Sequence, residues 1–290
     1  MMTPQSLRQV ARAFTRPIFA EMAKTGDANH ALEFFRKAGI LVDLKEARTR
    51  LTLATVFEEG WEALSNGYRN EYVYKNELAI RLIFKRHSPR TAGFQIELGV
   101  GHSIVDVAVA NGTSTAYEIK TEFDSARRLK TQTTDYLNVF DKVFVVTHPS
   151  HIERYVHELD PRVGLIALTK RGSLRPYREA IPNSEYVDPL TIFKCLRRDE
   201  YVGAINSMLG EVPVMPNGVI ARYCEDLFCT LSPCDAHKVF VKALRARTTD
   251  KNTIDFVSQL PLSLKALGYA TPMSGRQRIT LTELLSKSVT

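Results

Sequence analysis

The chain has 290 residues, 44% hydrophobic and 24% charged, with 39 Lys and Arg against 32 Asp and Glu and a net charge of +7. That is ample for a sizeable core, and the composition excludes a disordered or fibrous chain. Four cysteines do not describe a disulfide-stapled secreted domain. No apolar run reaches the ~18–20 residues of a membrane span.

The start, MMTPQSLRQVARAF, lacks the apolar core of a signal peptide, so a cytoplasmic protein with no membrane partner is expected. Residues 1–69 predict an N-terminal helical region: Leu7, Val10, Ala11 and Phe14 recur at helical spacing. Its short helices are expected to break at Pro17, Gly26, Gly39 and Gly60, and Phe34, Phe35, Leu51, Phe57 and Trp61 supply the packing. Residues 70–86 predict one longer helix, ending before Ser88-Pro89. Strand patterns follow at 94–98, 103–110, 114–120 and 142–148. Between the last two, 124–140 predicts a helix with Asp124 as its N-cap. VGLIALT, 163–169, adds a further strand. From Asp188-Pro189 onward the pattern is helical again, with apolar stripes at Leu190, Phe193 and Leu196, at Ile220, Tyr223, Cys224, Leu227 and Phe228, and at Val239, Phe240, Ala243 and Leu244. The expectation is an α/β core over 70–187, a mixed central sheet in the order α-β-β-β-α-β, flanked by helical regions at 1–69 and 188–290.

Asn111-Gly112 between alternating runs marks a hairpin, and its register decides whether charges meet. A two-residue loop sets Asp106 opposite Tyr117, with Glu118 on the other face. A three-residue loop, Ala110-Asn111-Gly112, pairs Val109 with Thr113 and sets Asp106 opposite Ala116. Glu118 is then a diagonal neighbour on the same face, followed there by Lys120. Two carboxylates and an ammonium near an apolar strand centre are costly unless neutralised. A hard divalent cation does this, with Asp106, Glu118 and the Ile119 carbonyl as ligands and Lys120 toward a water or phosphate. The plainer alternative is a cross-strand salt bridge on a solvated face.

The string Asp106…Glu118-Ile119-Lys120, with the order helix, three strands, helix, strand over 70–148, resembles the PD-(D/E)XK nuclease superfamily. Val105 stands where the written motif has proline. Gln132 and Tyr136, four apart on one helix face, resemble the Q-x-x-x-Y extension of its exonuclease-like branch. Glu77 matches the acidic residue many members place near the metal, and Glu97 is a candidate auxiliary ligand. The whole chain is also similar to bacterial proteins of this type that carry no assigned activity. The resemblance implies a restriction-endonuclease-like fold, Mg²⁺ or Mn²⁺ as cofactor, and DNA as partner and substrate, in defence against foreign DNA or in repair. It also implies substrate positioning by Gln132 and Tyr136, with the helical flanks serving a protein partner or homodimer. The rival expectation is a non-catalytic protein of the same fold that binds nucleic acid or another protein.

Cys224, Cys229, Cys234 and His237 invite a metal reading. Cys224 falls on an apolar stripe, however, and Ser232-Pro233 reads as a helix cap and first position. His148, His151 and His157 match no tight ligand pair and read as surface or capping residues. No phosphate-binding loop, nucleophile elbow or H-E-x-x-H is present. Basic stretches at Arg127-Arg128…Lys130, Lys170-Arg171 and Lys242…Arg247 could follow phosphates or simply face water.

Overall fold

A computed structural model describes residues 2–41 and 51–289, apart from the side chain of Asn217. Positions 42–50 of the expected N-terminal helical region lie outside the described residues. The chain forms two compact units, each drawn from separated stretches. One comprises Met1–Arg90, Lys170–Ser173 and Asp250–Thr290, the other Thr91–Thr169 and Leu174–Thr249. These units do not follow the boundaries at 69/70 and 187/188 that the sequence suggests: the helix at 71–86 belongs to the first, and the C-terminal helices divide between the two.

In the first unit, Thr3 Oγ1 accepts from the Ser6 N–H and opens the helix Pro4–Ala13. The next two helices, Arg16–Thr25 and Asn29–Ala38, end on Gly26 and Gly39 in the left-handed conformation that glycine adopts freely. Pro17 starts its helix rather than ending one. Gly60 is no breaker either. It lies inside the helix Leu53–Gly67, where a Cβ would come within 2.5 Å of the Phe35 ring. Phe14, Phe35 and Phe57 meet edge to face around that contact, with centroids 5.1 to 6.1 Å apart. Asn70 caps the helix Glu71–Leu78, which continues as a π-helix over Ala79–Arg86. From the far end of the chain, Lys251–Gln259, Lys265–Ala270 and Gly275–Ser286 complete the unit.

The second unit is built on a six-stranded mixed sheet in the order β1-β2-β3-β4-β5-β6. The strands are Gly93–Val100 (β1), Ser103–Asn111 (β2), Thr113–Lys120 (β3), Lys142–Thr147 (β4), Gly164–Leu168 (β5) and Leu174–Arg178 (β6). β1, β2 and β3 form an antiparallel meander, and β4 then lies parallel to β3. The crossover between them carries the helix Leu129–Leu137, as parallel pairing requires a long connection. β5 continues the parallel set, and β6 turns back antiparallel at the edge. Strand β6 escapes the sequence reading because LRPYR is short, charged and carries Pro176, which only an edge strand tolerates.

The helix after β3 is shorter than the expected 124–140, and Asp124 does not cap it. Asp124 Oδ2 instead accepts from both the N–H and the hydroxyl of Thr121, at 2.8 Å each, closing a turn directly after β3. Leu137 and Phe140, behind the crossover helix, share one core with Ala108, Ala110 and Ala116 of the hairpin and with Val239, Phe240 and Leu244 of the helix Pro233–Ala246. Ser232 and Pro233 open that helix as their order suggests, with Ser232 Oγ accepting from the Asp235 N–H. Among the described residues, no helix is long and apolar enough to cross a membrane.

Candidate active site

The hairpin decides the site, and its register differs from the expected one. Asn111 remains in the strand and pairs with Thr113 across Gly112, whose φ of 74° places it in the left-handed region. Ala108 pairs with Ala116 and Val107 with Tyr117, so the same register brings Asp106 opposite Glu118 rather than opposite Ala116. The correction is a shift of two residues. Side chains alternate with period two, so such a shift preserves which face each occupies, whereas the two-residue loop would have separated the carboxylates. Asp106, Glu118 and Lys120 share one face.

Glu118 is 1% exposed. A carboxylate at that depth demands partners, and both its oxygens have one. Lys120 Nζ donates to Oε1 at 2.6 Å. The Tyr136 hydroxyl lies 2.7 Å from Oε2 and 2.7 Å from the Ile104 carbonyl, so two acceptors compete for its single proton. Lys120 Nζ also donates to Gln132 Oε1 at 3.1 Å. Gln132 and Tyr136 thus both reach the Glu118–Lys120 end of the sheet from one face of the crossover helix. Asp106, half-buried, accepts from the Ile119 N–H at 2.7 Å through Oδ2. Thr147 on β4 donates to the Lys120 carbonyl at 2.7 Å and fixes the end of β3. Burial drives the Tyr136 phenol far above its usual pKa range. The charge and hydrogen bond of Glu118 add to this, as does the charge of Asp106. The phenol therefore remains protonated.

The remaining candidates are placed otherwise. Glu77 belongs to the helical unit, where Arg81 Nε donates to its Oε2 at 2.7 Å. Glu97 faces Asp106 on β1, between the pairs Ile96–Val107 and Leu98–Val105. Its φ of 58° is the only positive value of a non-glycine among the described residues, and such strain tends to collect at functional sites. Cys224 is fully buried in the core, Cys229 is exposed, and Cys234 contacts the Ser184 carbonyl. His148 caps the short turn at Pro149–His151.

Among the described residues no group of three or more His, Cys, Asp and Glu side chains is arranged to hold a metal. The donors at the cluster are two carboxylates, Asp106 and Glu118. Hard oxygens of this kind suit Mg²⁺ or Mn²⁺, which bind through one or two carboxylates and keep several waters. The donor set fits such an ion, which would compete with Lys120 for Glu118. Ile119 enters the cluster through its amide N–H. The Ile104 carbonyl is a participant that sequence reasoning misses, because a backbone acceptor carries no residue signature.

The family described as Bacteriophage P4 protein cII matches residues 65–266, a stretch that contains every residue of the cluster. Protein cII of Enterobacteria phage P4 is 34% identical over 68 residues, covering 23% of this chain and 26% of that protein. The chain thus aligns with about a quarter of the length of this curated relative. No solved structure matches.

Proposed function

This chain belongs to the bacteriophage P4 protein cII family, and we propose that it is a divalent-metal-dependent nuclease hydrolysing DNA phosphodiester bonds on a restriction-endonuclease-like core. The observation that carries this reading is the convergence of Asp106, Glu118 and Lys120 on one sheet face, with Gln132 and Tyr136 bonded to Lys120 and Glu118 from the crossover helix. A salt bridge needs neither of those two helix residues. A site that must aim a lysine and a carboxylate at a common point uses both.

Mg²⁺ or Mn²⁺ held by Asp106, Glu118 and the Ile119 carbonyl would polarise the scissile phosphate and make a bound water acidic. Lys120, shared between Glu118 and Gln132, is the cation of the cluster. It orients the attacking water or meets the charge developing on the phosphate. Gln132 aims the ammonium by accepting a hydrogen bond from it. Tyr136, kept protonated by its burial, holds Glu118 in place. The biological setting proposed is defence against foreign DNA or repair, with the helical flanks docking a protein partner or a second copy.

The test is incubation with labelled single-stranded, duplex and branched DNA, and with RNA, in Mg²⁺, Mn²⁺ or EDTA. Cleavage that requires the ion and disappears in Asp106→Ala is expected. Cleavage in EDTA, or at the wild-type rate in Asp106→Ala, contradicts the assignment. A second reading, a non-catalytic module of this fold that binds nucleic acid or protein, is favoured by the engagement of both Glu118 oxygens inside the protein. Binding without cleavage under every condition would select it.

A further inference from the structure

Both oxygens of Glu118 are taken, one by Lys120 Nζ at 2.6 Å and the other by the Tyr136 hydroxyl at 2.7 Å. Each of these donors has a second acceptor already in reach. For Lys120 it is Gln132 Oε1 at 3.1 Å, and for Tyr136 it is the Ile104 carbonyl at 2.7 Å. A salt bridge has no use for this duplication. Glu118, Lys120 and Tyr136 are all buried, so bulk water does not replace a partner that any of them loses. A donor leaving Glu118 with nowhere to go would be stranded at the full cost of its desolvation. Neither donor is stranded here. An ammonium has three hydrogens, so Lys120 keeps Gln132 when it gives up Glu118. A phenol has one, and Tyr136 redirects it to Ile104 by turning about its C–O bond, with no heavy atom moving. Gln132 and Tyr136 stand four apart on the crossover helix, and Ile104 lies two residues before Asp106 on β2. The second acceptors are therefore fixed by the same elements that frame the cluster.

We propose that the bonds to Glu118 are made to be exchanged. Lys120 and Tyr136 hold the carboxylate closed at rest, and they pass to Gln132 and to the Ile104 carbonyl when a divalent cation engages it. Gln132 and the Ile104 carbonyl are thus positioning groups that let Glu118 go without leaving a buried donor unpaired. The inference rests on the metal-dependent reading of this site and adds how the site opens. It also sets an order of events. At rest the charges of Glu118 and Lys120 offset each other. Once Glu118 turns to the cation, Lys120 is held only by the neutral Gln132 and is repelled by the cation. Its charge is then open to a phosphate oxygen, so the lysine is presented to substrate only in the loaded site. The engagement of both Glu118 oxygens, which by itself favours a silent module, becomes the closed state of a working site.

The test is binding of Mn²⁺ alone, without DNA, followed by loss of the free-ion electron paramagnetic resonance signal. The wild type should bind Mn²⁺ in a manner that Asp106→Asn abolishes. Tyr136→Phe removes a competitor for Glu118 and should tighten binding roughly 3- to 10-fold. Gln132→Met takes away the second acceptor of Lys120 and should weaken binding by roughly the same factor. In a Lys120→Met background, where nothing needs that acceptor, Gln132→Met should have no effect. Circular dichroism at the assay temperature checks that each variant is folded. Tyr136→Phe and Gln132→Met change no charge and decide the matter without the Lys120 variants. Equal or weaker binding in Tyr136→Phe means that the phenol supports the ion instead of competing with it, and overturns the exchange. Wild-type affinity in Gln132→Met overturns it as well. Either result beside ion-dependent cleavage by the wild type leaves the nuclease reading standing. The two expected shifts without cleavage of any nucleic acid leave the exchange standing and remove the nuclease. Absence of Asp106-dependent Mn²⁺ binding in the wild type overturns both.

Discussion

Glu118 and Lys120 form a buried ion pair whose value for stability and for function can be separated. Removing one partner strands the other. Lys120→Met should cost about 3–5 kcal/mol, because Glu118 is left charged and buried. Replacing both, Glu118→Leu with Lys120→Met, should recover most of that loss in chemical denaturation while cleavage stays absent. Recovery of stability together with activity would mean that the pair is only structural. Tyr136→Phe removes the phenol proton from Glu118 and should cost about 1–3 kcal/mol. At this scale the sequence was informative where chemistry follows residue type and spacing. Asp106, Glu118 and Lys120 announce themselves by polarity among valines, and Gln132 and Tyr136 by their separation of four. The Ile104 carbonyl and the strained backbone of Glu97 were not legible, since neither depends on a side chain's chemistry.

Among elements, the β2–β3 hairpin is where pattern fixes the outcome and detail escapes. Alternation required the three charges to share a face in any odd-loop register, and they do. Which odd register forms depends on how far Asn111 and Thr113 extend the ladder. Gly112 is needed at its φ of 74°, so Gly112→Ala should cost about 1–2 kcal/mol in urea unfolding. The same turn is tied to the helix Pro233–Ala246 by Ser114 Oγ and His237 Nε2, 2.8 Å apart, with Asp141 bonded to Ser114, Thr113, Asn183 and Ser184. Burial holds the His237 pKa below its usual value, although the Asp141 charge pulls the other way. The folded imidazole is thus harder to protonate than the unfolded one. Its contribution is complete above about pH 6.5 and is lost as pH falls toward the lower folded pKa. Denaturation midpoints should drop between pH 7 and pH 5, and His237→Gln should reduce that drop.

For the whole molecule, the division into units was the least legible feature. Segmenting a sequence follows chain order, whereas units follow which faces meet. Residues 250–290 read as a continuation of the C-terminal helices, yet they bond to the N-terminal ones. The Leu53 N–H donates to the Lys287 carbonyl, the Val289 N–H to Leu51, and the Tyr72 hydroxyl to the Ser263 carbonyl. Those links are backbone groups or lone hydroxyls, without a pattern that marks them beforehand. Within this unit Lys265 is 4% exposed, and its ammonium donates to the carbonyls of Val257 and Ser258. Burial brings its pKa down to about 8, with the Glu58 charge opposing. Between that value and the ordinary ~10.4 the unfolded chain holds the extra proton, so stability should rise with pH across this window. Lys265→Met should flatten the rise in melting temperature from pH 8 to pH 10.

The most direct measurement of the central claim is single-turnover cleavage of labelled single-stranded DNA in Mn²⁺ by the wild type, Glu118→Gln, Lys120→Met and the double variant. Groups that act on one transition state lose their contributions together. The account predicts ion-dependent cleavage by the wild type, a collapse in either single variant, and a double variant scarcely slower than the singles. Cleavage surviving in Glu118→Gln, or losses that multiply as if the two residues acted independently, would contradict it.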